Sequence, residues 1–202
     1  MANATCRFLM DLLVLAYVQS YSSVENPVHK LTRQQILGMD SQPTLNVILV
    51  APEIPQNTGN IIRLCANVGA SLHLVKPLGF RLDDAKLRRA SLDYSDLINI
   101  HLHDSIDDFL KDSPAKKNYG ATIPGSVLYT TPRYHHGDSI ILGSESVGLP
   151  NTILERISPQ NRVHIPMAPA NRSLNISNAA AIIVYEMWRQ IGFHGSSELQ
   201  RQ

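Results

Sequence analysis

The sequence predicts an α/β fold, a mostly parallel sheet covered by helices on both faces. Two observations predict it. From Leu45 onward, short apolar runs, the first of them dense in β-branched residues, alternate with segments of helical periodicity. Three of those runs are followed by loops of unusual composition, at the strand ends where open α/β sheets bind their ligands.

The elements follow in order. Residues 45–50 (LNVILV) form a buried strand, and 57–69 a helix with Asn57 as its cap and Gly69 at its end. Strand 71–75 and a short helix over 83–90, acidic in its first turn, come next. Strand 98–101, helix 105–110, strands 119–123 and 139–142, helix 150–157 and strand 163–165 continue the alternation. A helix over 175–192 closes it, with Ile176, Ala180, Ile183, Val184 and Met187 as its apolar stripe.

Composition narrows the function classes. At 202 residues the chain supports one ordinary core with an added terminal segment. A net charge of +1 excludes a broadly polybasic protein, so any nucleic-acid contact comes from a local patch. Cys6 and Cys65 are isolated, which argues against a zinc ribbon or a disulfide scaffold and suits a reducing, cytoplasmic compartment. His101, His103, His135 and His136 lack helical spacing with a carboxylate partner and read as surface or strand-edge histidines, not as a metal site.

Residues 1–44 read as an extension to a domain at 45–193, with 194–202 as a tail. The apolar run at 8–18 is broken by Asp11, too short to span a bilayer and a poor signal peptide. Leu9, Leu12, Leu13 and Ala16 share a helical face, which makes it an amphipathic helix, before a polar linker containing Pro27, Gly38 and Pro43. A start near Met39 is the alternative for this segment.

The three loops carry the chemistry. The first is Pro52-Glu53-Ile54-Pro55-Gln56-Asn57-Thr58-Gly59-Asn60-Ile61-Ile62-Arg63. The second is Gly143-Ser144-Glu145-Ser146-Val147-Gly148-Leu149-Pro150, in which the glycines allow close backbone approach or positive φ and Glu145 is hard to explain as a turn residue. The third runs from Ile165 through Ser173, Asn175 and Asn178 into the last helix. Taken alone it is equally a capped connection, with Asn171, Ser173 or Asn175 as cap, and a ligand cradle at a helix start. The first loop holds no Gly-x-Gly-x-x-Gly, and no Walker A sequence is present.

Together the loops resemble the three signature motifs of the SPOUT superfamily of RNA methyltransferases: Asn57-x-x-Asn60-x-x-Arg63, Gly143-x-Glu145-x-x-Gly148-Leu149, and Pro166-Met167 through Ser173-Leu174-Asn175-Ile176-Ser177-Asn178-Ala179. The first segment, with Leu87-Arg88-Arg89-Ala90-x-Leu92-Asp93-Tyr94 and Val184-Tyr185-Glu186-x-Trp188-Arg189-Gln190, is similar to the small tRNA ribose 2′-O-methyltransferases that act at the wobble nucleotide. The resemblance covers residues 45–193. Two stretches depart from that pattern: Val147 stands where arginine is common, and Ile123-Pro124-Gly125-Ser126 replaces a more polar segment.

The resemblance implies a deep trefoil knot at the C-terminal end, S-adenosylmethionine as cofactor, a homodimer, and transfer of a methyl group to the ribose 2′-hydroxyl of a wobble cytidine or uridine in a tRNA anticodon stem-loop. It implies no metal and no membrane. Ala121, Gly143, Ile165 and Ser173 would bind the cofactor. Arg63 would stabilise the developing alkoxide and grip a phosphate, since guanidinium does not act as a base. Asn60 and Asn175 would orient substrate or loop. Glu145 would order the pocket or bind substrate, and Ser173 would bind cofactor or assist catalysis. The basic cluster of Lys86, Arg88 and Arg89 would contact phosphates and Tyr94 would stack on a base. A ribosomal RNA 2′-O-methyltransferase and a non-catalytic knotted RNA-binding dimer are the alternatives.

Overall fold

All five residues of Asn46–Val50 are buried, as are all five of Ser71–Val75, which places these apolar runs in the interior of a sheet covered on both faces. The computed structural model describes residues 43–83, 87, 100–112, 117–123, 127–170 and 173–196. In chain order these contain β1 (Asn46–Val50), α1 (Pro55–Val68), β2 (Ser71–Val75), β3 (Ile100–His103), α2 (Ile106–Asp112), β4 (Asn118–Ala121) and β5 (Val127–Leu128). There follow β6 (Ser139–Leu142), α3 (Asn151–Leu154), a single 3-10 turn (Pro159–Asn161), β7 (Arg162–His164) and α4 (Ile176–Gln190).

The described strands form one sheet in the order β3-β2-β1-β6-β4-β7-β5, and every pairing in it is parallel. The side-chain period of two divides the core into two layers. Val47, Leu49, Leu72, Leu74, Ile140 and Leu142 pack with α1 and α4 on one face. Ile48, Val50, Val75 and Ile141 pack on the other, against Phe109 of α2 and Ile153 of α3. The stripe expected of the last helix is there: Ala180, Ile183, Val184 and Met187 are buried, joined by Trp188, and Ile176 packs against them half-buried. Gln190, near the end of α4, accepts from the Tyr134 amide and donates to the Pro132 carbonyl, which fixes the connection that leads into β6.

Several boundaries differ from the sequence reading. Helix α1 starts at Pro55, two residues early, because proline at the first helical position arrives with helical φ and no amide to satisfy. Asn57 therefore lies inside the first turn and is not the cap; Ile54 takes that position with no side-chain bond of its own. Gly69 ends the helix as expected, at φ 69°. Helix 150–157 shortens to Asn151–Leu154, and the two-residue β5 has no expected counterpart, being too short to show a pattern. The amphipathic helix at 8–18, its linker, and most of the helix over 83–90 lie outside the described residues.

His101 and His103 lie on the edge strand β3, as expected, but they contact a third histidine inside the fold. His73 is 5% exposed, its ring stacked on both and edge-on to Phe109. Its Nδ1 is 3.0 Å from His103 Nε2 and its Nε2 is 3.3 Å from Asn46 Oδ1. Burial, then the neighbouring His101 and His103, holds its pKa down at about 3. Below the ordinary value of 6.5 the unfolded chain takes up a proton that the folded chain refuses. Stability from this site is thus complete above pH 6.5 and lost as pH falls toward 3. Urea titrations at pH 7 and pH 4.5 should show a fall in midpoint that is smaller in the neutral variant His73→Gln.

Candidate functional site

Parallel pairing puts the carboxyl ends of β1, β6, β4 and β7 side by side at one edge of the sheet. The chain leaves β1 toward β2 on one side and leaves β6 toward β7 on the other, so the loops after the neighbouring strands β1 and β6 meet at a topological switch point. A cavity of about 950 Å³ lies there. Its walls come from Ile54 and Asn57, residues 121–123, residues 142–149, the end of β7 and the run into α4.

The loop after β6 closes on itself. Gly148 N–H donates to Ser144 O at 2.9 Å, the two residues bridge antiparallel, and Gly148 has φ 73°. A methyl group at Gly143 would lie 1.9 Å from the Gly148 carbonyl carbon, so no side chain fits. Both glycines are therefore dictated by this turn.

Glu145 projects from that loop to the start of α1. Its carboxylate accepts from Glu53 N (2.8 Å), Ile54 N (3.2 Å) and Asn57 Nδ2 (2.9 Å). The chain entering α1 is thus fastened, at the amides of Glu53 and the N-cap residue Ile54, by a carboxylate 91 residues beyond Ile54. Asn57 Oδ1 in turn accepts from Asn175 Nδ2 (3.0 Å), and Asn175 Oδ1 accepts from Ser177 N (2.9 Å) and Asn178 N (3.4 Å), which caps α4. One carboxylate thus terminates a polar thread through the N-termini of both helices, where their dipoles favour negative charge. Glu53 answers in the opposite direction, accepting from Ser146 N (3.2 Å) and Ser146 Oγ (2.5 Å).

The expected site residues fall into three groups. Ala121, Gly143, Ile165, Ser173, Glu145 and Asn175 all line the cavity. Asn60 and Arg63 are exposed on α1 and do not contribute to its wall. Arg88, Arg89 and Tyr94 lie outside the described residues, as does Lys86. The sequence reading missed Glu53 and the role of Asn57. Asn57 stands at the head of the first motif and reads as a helix cap, and neither signal shows the bond to Glu145. Among the described residues no group of histidine, cysteine and carboxylate side chains could hold a metal ion.

The pattern of the SpoU rRNA Methylase family matches residues 44–185. This chain belongs to the SpoU methylase family. A tRNA (cytidine(34)-2′-O)-methyltransferase of Burkholderia ambifaria is 52% identical over 155 residues, 75% of this chain and 99% of that protein. One from Escherichia coli K12 is 43% identical over 152 residues, covering 75% and 97%. A solved structure described as giving insight into the 2-OH methylation of C/U34 on tRNA superposes with a TM-score of 0.70 at 40% identity, over 73% of this chain and 96% of that one. The SpoU methyltransferase AviRb of Streptomyces viridochromogenes, in complex with AdoMet, superposes at 0.67 with 25% identity, over 75% of this chain and 59% of that one. The parallel sheet and the motif spacing of this chain are those of a SpoU methylase.

Two substitutions probe the thread. Asn57→Asp sets a second carboxylate against Glu145 and should cost about 2 kcal/mol at pH 8 by chemical denaturation, with part of the loss recovered at pH 5 as one carboxyl protonates. Gly143→Ala forces the loop open and should cost roughly 3 kcal/mol by the same measurement.

Proposed function

We propose that this SpoU methylase transfers a methyl group from S-adenosylmethionine to the ribose 2′-hydroxyl of the wobble nucleotide, cytidine or uridine, in tRNA. The observation that carries the reading is the convergence of all three motif loops on one cavity, held by the thread from Glu145 to Asn175. The names of the end-to-end relatives supply the substrate.

The cavity suits the cofactor. Its size is that of a small-ligand site, and apolar side chains such as Leu142, Leu149, Ile165 and Ile183 stand in its wall. His164, also a wall residue, holds a buried Nδ1 with no hydrogen-bond partner, a polar group left for a ligand to satisfy. Ala121, Gly143, Ile165 and Ser173 are the residues that would hold the cofactor. When bound, S-adenosylmethionine supplies an activated methyl group on a positively charged sulfur.

The chain's own residues then divide the remaining work. Glu145, Asn57 and Asn175 act as positioning residues, since their hydrogen-bonding groups are spent on one another and on helix amides. Arg63 is exposed on α1 and does not line the cavity, which supports a role toward RNA and not toward the cofactor. In that role it stabilises charge developing on the 2′-oxygen and grips the adjacent phosphate. The basic cluster at Lys86, Arg88 and Arg89 and the ring of Tyr94 serve RNA binding in the same reading. The chain works as a homodimer, for which Ile182 and Tyr185, exposed on α4, supply an apolar face. Its C-terminal segment forms the deep trefoil knot of SPOUT proteins, a reading supported by the passage of the chain from β6 past β4 to β7 and the return of α4 against β6.

The test is transfer of a labelled methyl group from S-adenosylmethionine to total tRNA, followed by mapping. Label should appear on the ribose of the wobble nucleotide; label only in ribosomal RNA, or none, overturns the assignment. Arg63→Ala should lower transfer by about a hundredfold or more while calorimetric affinity for the cofactor stays near wild type.

A further inference from the structure

Four large apolar side chains that the fold leaves exposed line this cavity: Ile54 (42% exposed), Ile123 (56%), Val147 (76%) and Leu174 (38%). They come from four segments, the chain before α1, the exit of β4, the loop after β6 and the run into α4. Val147 is not exposed through slackness. Its amide donates to Ser144 Oγ at 3.3 Å, Ser146 beside it is bound twice to Glu53, and Gly148 on its other side is bridged to Ser144. A fixed loop thus displays a valine to solvent at the edge of a ligand cavity, and clustered apolar exposure of this kind marks a binding surface.

We propose that Ile54, Ile123, Val147 and Leu174 form an apolar collar that seats the base of the nucleotide being methylated, an inference that rests on the methyl-transfer reading above. The occupant follows from reach. A reacting 2′-oxygen must come to roughly 3 Å from a methyl carbon held in the cavity. The base is attached to the ribose carbon next to the one that bears this oxygen, so it lies at the cavity mouth. The most exposed wall residues stand there. A phosphate does not fit the same place, because no lysine or arginine lines the cavity among the described residues. Flipped bases are held by contact between apolar or aromatic side chains. Aliphatic groups touch the face of the ring and offer no donor or acceptor to tell one pyrimidine edge from another. The collar therefore accepts cytidine and uridine with similar KM.

Val147→Asp and Ile123→Ser test this, both being exposed positions that folding tolerates. Each is assayed on a synthetic anticodon stem-loop RNA and on the same RNA with the target base removed and its ribose kept. Cofactor affinity is measured by calorimetry and mass by sedimentation. KM for the intact RNA should rise by about tenfold, with cofactor affinity and mass unchanged. On the abasic RNA, wild type and variants should be equal. Equal loss of cofactor affinity would assign the collar to the cofactor, and a fall in mass would assign it to an interface between copies; either overturns the proposal. So does an unchanged KM, or a loss as large on the abasic RNA as on the intact one. A wild type that methylates no tRNA nucleotide removes the functional reading and the collar with it, whereas an active wild type with insensitive variants removes the collar alone.

Discussion

Everything at the ligand-binding edge of this sheet depends on where the Glu145 carboxylate goes. Helix α1 begins Ile54-Pro55, a start that supplies the right φ but no side chain able to bond the free amides. The carboxylate holds that start from a loop distant in sequence, through the amides of Glu53 and Ile54 just before the helix and the side chain of Asn57, and Asn57 passes the connection on to Asn175 and the amides of α4. Two helices that pack on the same face of the sheet are thereby aligned by their N-termini as well as by their apolar stripes. The cavity is the space this arrangement leaves between them and the strand ends.

A second consequence concerns where polarity is used up. Glu145, Asn57, Asn175, Glu53 and Ser146 all stand around the cavity, yet their strong groups bond one another or nearby backbone amides. What remains for a ligand is apolar surface, backbone and a few atoms such as His164 Nδ1. A ligand in the proposed reading is then held largely by shape and main chain.

The fold was legible because a sheet buried on both faces leaves apolar runs in the sequence. Val47, Leu49 and Ile48, Val50 go to opposite layers, yet all read simply as buried. The last helix was legible through its stripe, and Asn175 through its chemistry as a cap. Residues whose partners are remote were not legible. Asn57 has the composition of a cap, and only the arrival of Glu145 shows that it is a link and not a terminus. Glu53 looks like a surface carboxylate until Ser146 is set beside it. Gly143 showed itself as a glycine, but the 1.9 Å clearance that dictates it belongs to a turn no local pattern encodes. His73 reads as a strand residue, and its pKa is lowered first by burial and then by two histidines from the neighbouring strand.

The site thus has an inner part and an outer part built by different rules. Inside, rigidity comes from paired polar groups. Outside, Arg63 stands exposed on α1, and the loop locked by Gly143 and Gly148 holds apolar Val147 in place. A chain of net charge +1 cannot draw RNA in by its overall field, so phosphate attraction has to be local to such groups. Phosphate contacts are the same at every nucleotide and position the RNA without choosing among its bases. In the proposed reading the base is then seated at the cavity mouth, by surface that a base can cover and a phosphate cannot. The same polar contacts that fix the inner cavity fix the loop that carries that surface, so in the proposed reading cofactor fit and nucleotide fit depend on one small set of contacts.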